Sequence, residues 1–315
     1  MRYQIVFADA ATLGDADLSA LHLANCQLQV YAHSSADELP ARLQDADIAI
    51  VNKCSLDAAL LAKLPRLKAI MVAATGMDNI DLQATRAAGI QVFNVTDYAG
   101  TAVPQHVFAL LLALSNQLFS YSAAVQRGDW SRSQSFCLLD YPIFELAGKT
   151  MVIVGYGVLG QATAALARAF GMKVLIAERP DATLIRDGRT AFNAALAQAD
   201  VVSLHCPLTE QTRHLLNQQS LALLKTGAII INTARGGLIE PEALLHALHS
   251  GQVSAAALDV LSIEPPPASD LLVNSKLPNL LLTPHIGWAS REARARMVEK
   301  LVYNIHTFIS SKTDR

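Results

Sequence analysis

Cysteine is scarce in this chain, and what there is stands apart. Cys26, Cys54, Cys137 and Cys206 form no C-x-x-C pair and no metal-ligand spacing, so neither a disulfide framework nor a bound metal is expected. Charge of one sign is also lacking. A net charge of −2 gives no electrostatic reason to expect nucleic acid or an anionic membrane as partner. Long apolar runs are missing too: the longest, residues 107–114, is too short to span a bilayer. The opening MRYQIVFADA has no extended apolar h-region or cleavage site and reads as a first strand. A reduced, cytoplasmic setting is expected.

What the chain does have is core-forming material. At 315 residues, 52% hydrophobic and 17% charged, it exceeds a single core and suits two well-buried domains. Strand-like runs at 4–7, 28–31, 48–51, 69–72 and 92–94 alternate with helical patterns at 16–23, 36–43, 57–64 and 82–88. Strands that recur with helices between them imply a parallel, doubly wound sheet. Residues 101–127 read as one long apolar helix with Pro104 in its first turn, where the missing N–H does no harm. Residues 128–148 read as a loop-rich connection carrying Trp130 and Phe136.

A second series follows, with strands at 151–154, 173–177, 201–204, 228–232, 255–259 and 280–283. Helices are expected at 160–170, 193–198, 218–224 and 240–249. A last helix, 290–310, carries Met297, Leu301, Ile305 and Phe308 on one face and is expected to return to the first domain.

At the head of the second series stands MVIVGYGVLG, a buried-strand pattern running into Gly155-x-Gly157-x-x-Gly160. Gly155 permits a tight turn, Gly157 lets a pyrophosphate approach the backbone, and Gly160 lets the helix pack on the strand. The orphan N–H groups of that helix would face the phosphates. Glu178 follows the second strand of the series, where an acid accepts from the adenine-ribose hydroxyls and repels a 2′-phosphate. That favours NAD, although Arg179 could instead grip a 2′-phosphate and a solvated surface charge pair is the alternative. Cys206 and Pro207, after His205, are read as a wall of the adenine pocket.

Three further segments lie at expected strand ends. Arg235, in NTARGG, has a guanidinium fork suited to a carboxylate or a carbonyl oxygen, or it makes a structural salt bridge. Asp259 would sit near a nicotinamide and hold its carboxamide. Glu264, before Pro265, is either a loop cap or a partner for something basic. His285, in TPHIGWAS, is a catalyst or a satisfied structural histidine; the structural reading is favoured more strongly for His106 and His205.

TARGG, DV-x-x-x-EP and TPHIGWAS, in this order after G-x-G-x-x-G, resemble the D-isomer-specific 2-hydroxyacid dehydrogenases. ATGMDNID and HCPLTEQTRHLLN extend the resemblance over essentially the whole chain, and VNKCS, AERP and HIGWASREAR look most like the glycerate dehydrogenase / hydroxypyruvate reductase branch. The resemblance implies reduction of hydroxypyruvate or glyoxylate to the D-2-hydroxy acid, or the reverse, with NADH preferred and NADP possible. It implies that Arg235 binds substrate, that His285 is the general acid/base, and that Glu264 orients it. Backbone around Thr75 and Gly76 would cradle the carboxylate, with Lys53 a further substrate contact, and closure would exclude water. Val158 and Leu159 would lie at the pyrophosphate and Thr233, Ala234 and Arg235 beside the nicotinamide, with Gly287 a further cofactor contact.

Phosphoglycerate-specific members resemble this chain but usually carry arginine at the position of Lys53, and many have a regulatory domain, which is not expected here. The architecture expected is α/β with two Rossmann-like doubly wound parallel-sheet domains. A discontinuous, flavodoxin-like substrate domain spans 1–99 plus 290–315, and an NAD-binding Rossmann domain spans 100–289 with a dimerisation segment at about 113–148. A homodimer is expected. The alternative is a dinucleotide-sensing transcriptional corepressor of the same fold; a formate dehydrogenase-like enzyme is disfavoured because that branch has glutamine where Glu264 stands.

Overall fold

Short apolar runs bounded by turns become parallel strands throughout the computed structural model, which describes residues 2–313. Positions 1, 314 and 315, at the ends of the expected substrate domain, lie outside the described residues. The chain divides into two compact units, Met1–Ala99 with Ala289–Arg315, and Gly100–Trp288.

In the first unit, β1 (Tyr3–Phe7), β2 (Cys26–Val30), β3 (Ile48–Val51), β4 (Ala69–Val72) and β5 (Gln91–Asn94) lie in the order β2-β1-β3-β4-β5. All pair in parallel. β3 and β4 are buried at every residue, as strands covered on both faces must be. The order reverses between β1 and β3, which makes their carboxyl ends the crevice where such a sheet takes ligands. Helix Arg291–Thr313 completes this core. Its Met297, Leu301, Ile305 and Phe308 are each at most 1% exposed, a stripe at helical spacing. Phe308 meets Tyr3 and Phe93 edge-on, with centroids 6.2 and 6.4 Å away.

In the second unit, β6 (Thr150–Val154), β7 (Lys173–Ala177), β8 (Val201–Leu204), β9 (Ala228–Asn232), β10 (Val253–Leu258) and β11 (Leu280–Leu282) form a parallel sheet ordered β11-β10-β9-β8-β6-β7. Thr190 adds a single parallel bridge to Ala177, a rudimentary strand outside β7. It turns the segment after β7 back over that strand's end. The reversal falls between β6 and β8, beside the glycine turn.

Two expected helices break. The 16–23 pattern forms only the short turn Ser19–Leu21, and a separate short turn, Ala10–Leu13, precedes it. Gly14 takes φ +61, and the Asp17 carboxylate accepts from Ser19 N at 2.8 Å, a local bond that competes with helix. The 101–127 pattern splits into Ala102–Ser115 and Leu118–Gln126, bent by 57°. There Asn116 Nδ2 donates to the Leu112 carbonyl at 3.1 Å, and Gln117 turns to φ +52. The pieces differ in burial: the first is mostly buried, the second mostly not.

Candidate active site

The glycine turn is built for close approach. Gly155 has φ +94, and a Cβ there would lie 2.5 Å from Cys206 N, while one on Gly160 would lie 2.1 Å from the Gly155 oxygen. Side chains at either position would push β6, its helix and the β8 loop apart. A Cβ on Gly157 would meet nothing within 4 Å. Gly157 caps helix Val158–Ala169 without a side-chain bond, so the N–H groups of Val158, Leu159 and Gly160 point out of the helix end, as an anion site requires. A cavity of 730 Å³ opens here, lined by Gly155, Gly157, Glu178, Arg179, Cys206 and Pro207 among others, a size suited to a cofactor.

Burial raises the Cys206 thiol to about 11 and pushes His205 down to about 4. His205 is therefore neutral at physiological pH and bonds Ser203 Oγ at 2.8 Å, a structural role. Glu178 is 2% exposed and carries partners that its sequence position does not reveal. Its carboxylate accepts from Arg179 N at 2.9 Å, Arg186 N at 3.3 Å and Arg186 Nε at 2.7 Å, and also from Arg186 Nη2. The Arg186 hydrogen bond foremost holds this carboxyl far below the usual range.

The three chemistry-bearing segments follow adjacent strands β9, β10 and β11. Asn232, fully buried, braces the turn after β9: its Nδ2 donates to the Arg235 carbonyl at 2.8 Å and its Oδ1 accepts from Ala234 N at 3.0 Å. A Cβ on Gly236 would sit 2.0 Å from the Leu261 carbonyl carbon, so this glycine lets the Arg235 loop press against the loop after β10. In that second loop Glu264 Oε1 accepts from Leu261 N at 2.9 Å. Its other oxygen, Oε2, lies 2.5 Å from His285 Nδ1. Glu264 is thus both a loop cap and the partner of a base. The proton it fixes on Nδ1 makes Nε2 the nitrogen available for proton exchange.

His285 has φ +56, a left-handed backbone that costs about 1–3 kcal/mol unless its surroundings hold it. Asp259 holds it. Asp259 Oδ1 accepts from Ile286 N at 2.9 Å and Oδ2 from Gly287 N at 2.8 Å, the two amides after the strained residue. Thr283 Oγ1 adds a bond at 2.5 Å, and His106 Nε2 lies 3.3 Å away. Burial pushes the Asp259 carboxyl up, but bonds from His106, Thr283, Gly287 and Ile286 outweigh it and hold it below the ordinary carboxylate value.

Asp259 and Gly287, expected at the cofactor, also brace the His285 loop: a Cβ on Gly287 would come within 3.0 Å of Asp259 Oδ2 and 3.1 Å of the His106 ring. His106 belongs to the same cluster, although 177 positions separate it from Thr283, and no local pattern announces the pairing. Thr233 Oγ1 is buried with no hydrogen-bond partner among the described residues. An orphaned hydroxyl at this strand end fits residues made to meet a polar ring substituent.

In the first unit, Lys53, Thr75 and Gly76 follow β3 and β4 at their carboxyl ends. Thr75 Oγ1 donates to Val95 O at 2.9 Å, and Asn94 Nδ2 donates to Thr75 O at 2.7 Å. The Lys53 loop has an organiser that sequence reasoning missed: buried Asp9, whose carboxylate accepts from Asn52 N at 2.9 Å, Lys53 N at 2.6 Å and Cys54 N at 2.9 Å. Burial, with Asp9 adding to it, pushes the neighbouring Cys54 thiol up to about 12. Among the described residues no cluster of metal-ligating side chains occurs.

A dinucleotide-binding sheet that carries a carboxylate–histidine pair and an arginine on successive strand ends defines a nicotinamide-dependent oxidoreductase. Comparison with known proteins narrows the class. The family described as D-isomer specific 2-hydroxyacid dehydrogenase, NAD binding domain, matches residues 108–287. The glycerate dehydrogenase of Methylorubrum extorquens is 41% identical over 99% of this chain and 98% of its own. The hydroxypyruvate reductase of Blautia hydrogenotrophica is 37% identical over 97% of each chain. The crystal structure of D-lactate dehydrogenase from Aquifex aeolicus, complexed with NAD and lactic acid, superposes with a TM-score of 0.84 at 28% identity, covering 99% of this chain and 96% of that one. The chain belongs to the D-isomer specific 2-hydroxyacid dehydrogenase family, and it is an NAD-dependent dehydrogenase of the glycerate dehydrogenase / hydroxypyruvate reductase type.

Proposed function

We propose that this protein reduces a small 2-oxo acid, hydroxypyruvate or glyoxylate, to D-glycerate or glycolate, and catalyses the reverse reaction. The observation that carries the reading is the 2.5 Å contact between Glu264 Oε2 and His285 Nδ1, at a strand end beside the Arg235 loop. Bound nicotinamide supplies or takes the hydride. Arg235 binds the substrate carboxylate and stabilises charge growing on the carbonyl oxygen. His285 Nε2 delivers a proton to that oxygen, and ionised Glu264 stabilises the imidazolium from behind through a charge-assisted bond. In the reverse direction the same nitrogen takes the hydroxyl proton.

In this reading Gly155, Gly157, Val158, Leu159 and Gly160 receive the pyrophosphate. Glu178, Arg179, Cys206 and Pro207 line the adenosine site, and Thr233 and Ala234 flank the nicotinamide. Thr75, Gly76 and Lys53 contribute substrate contacts from the unit formed by Met1–Ala99 and Ala289–Arg315, the substrate domain; Gly100–Trp288 is the cofactor domain. The protein works in the cytoplasm as a homodimer. Its four cysteines are free thiols, and among the described residues no single helix is long and apolar enough to cross a membrane.

Purified protein is expected to oxidise NADH with hydroxypyruvate and glyoxylate, more efficiently than with pyruvate or 2-oxobutyrate. Absence of turnover with all four sinks the reading.

A further inference from the structure

The cavity beyond β7 holds more positive charge than a ribose diol requires. Arg179, Arg186 and Arg189 line it, against the carboxylates Glu178 and Asp181. The bridge from Thr190 to Ala177 brings two of these arginines there: Thr190 N bonds Ile176 O at 2.9 Å and Glu178 N bonds Thr190 O at 2.8 Å. The intervening loop must therefore return Arg186 and Arg189 to the strand end.

Glu178 is saturated by that return. A carboxylate offers about four lone-pair sites, and Arg179 N, Arg186 N, Arg186 Nε and Arg186 Nη2 all donate to it. Arg189 Nε adds positive charge 3.8 Å from Oε2. A ribose hydroxyl must displace Arg186 to reach Glu178, and the acid's repulsion of a phosphate is neutralised in place. The Glu178 side chain is 1% exposed but that of Arg186 is 50% exposed, so the guanidinium covers the acid and leaves part of its own surface open to an incoming anion.

We propose that Arg186, assisted by Arg179 and Arg189, is the cofactor-selecting residue of this dehydrogenase and clamps a ribose 2′-phosphate, so that the protein takes NADPH as well as NADH. The proposal rests on the reading of this cavity as the adenosine-ribose site. A 2′-phosphate carries a charge of roughly −1.5 to −2 at neutral pH, and arginine forks match its oxygens. Binding of NADPH then weakens with salt more steeply than binding of NADH.

The test is calorimetric titration of the purified protein with 2′,5′-ADP, 5′-AMP, NADPH and NADH, at low and high salt. The expected result is that 2′,5′-ADP binds roughly ten- to a hundredfold tighter than 5′-AMP, from one or two charged hydrogen bonds, and that salt narrows the gap. Arg186→Ala is expected to lose most of that difference and to tighten NADH, because Glu178 is released to the diol; Arg186→Lys should retain part of it. Equal binding of 2′,5′-ADP and 5′-AMP by the unmodified protein, with NADH still bound, overturns the clamp and leaves the dehydrogenase reading intact. So does an Arg186→Ala variant that weakens NADH and NADPH alike. Binding of neither dinucleotide overturns the cavity assignment and the clamp with it.

Discussion

His285 is held by two carboxylates with separate tasks, and their separation makes the residue-scale predictions distinct. Glu264 touches the imidazole; the Asp259 carboxylate bonds the backbone after it and meets the side chains of Thr283 and His106. His285→Ala removes the proton donor and is expected to lower kcat by roughly 10²–10⁴-fold with NADH affinity retained, whereas Arg235→Ala mainly raises KM. Steady-state kinetics with a direct NADH titration separate these outcomes, and equal loss of NADH binding in His285→Ala would refute the assignment. Asp259→Asn leaves the imidazole's partner in place but weakens the loop, by about 1–3 kcal/mol for a broken buried bond. Because the folded Asp259 carboxyl titrates below its unfolded value, its stabilisation is complete above about pH 4 and disappears as pH falls through the folded value. Urea unfolding should show that the variant deficit shrinks toward acid pH; a deficit constant with pH would contradict this.

Arg235, Glu264 and His285 were legible in the sequence because each sits in a short motif with a strand before it. Asp9, His106 and Arg186 were not. Their partners lie far along the chain or across an irregular loop, and hydrophobic periodicity carries no information on such pairings.

Elements were readable where the sheet itself dictates them. β3, β4, β7, β8 and β9 fall on the expected residues; all but the edge strand β7 are buried throughout, and such parallel strands are short continuous apolar runs. Helix ends were less legible, since Asp17 and Asn116 act through side-chain bonds to nearby backbone that composition does not display. The turn from β6 into its helix is an element-scale feature with a sharp test. Gly155→Ala must place a Cβ 2.5 Å from Cys206 N at a φ of +94. The expected outcome is loss of NADH binding and a melting temperature lowered by several degrees. An alanine variant that binds NADH normally would show that the turn tolerates a side chain and is not the phosphate cradle.

At the scale of the whole molecule, apolar surface is concentrated between residues 118 and 143. Phe136 is 90% exposed, Leu139 81%, Phe119 65% and Trp130 51%. Exposed apolar groups gathered in one segment mark an interaction surface, which supports a homodimer through this arm. Light scattering after size exclusion should give twice the chain mass at micromolar concentration, and Phe136→Glu with Leu139→Glu should shift it to the monomer. A monomeric unmodified protein removes the proposal.

The first unit draws its core from both extremes of the described chain, with Phe308 seated between Tyr3 and Phe93. During synthesis, residues 100–288 emerge as a complete unit while β1–β5 still lack the helix that covers them. The cofactor-binding unit can therefore fold on the ribosome first. The earlier-made sheet must wait, with its apolar face uncovered, for helix Arg291–Thr313 to be translated.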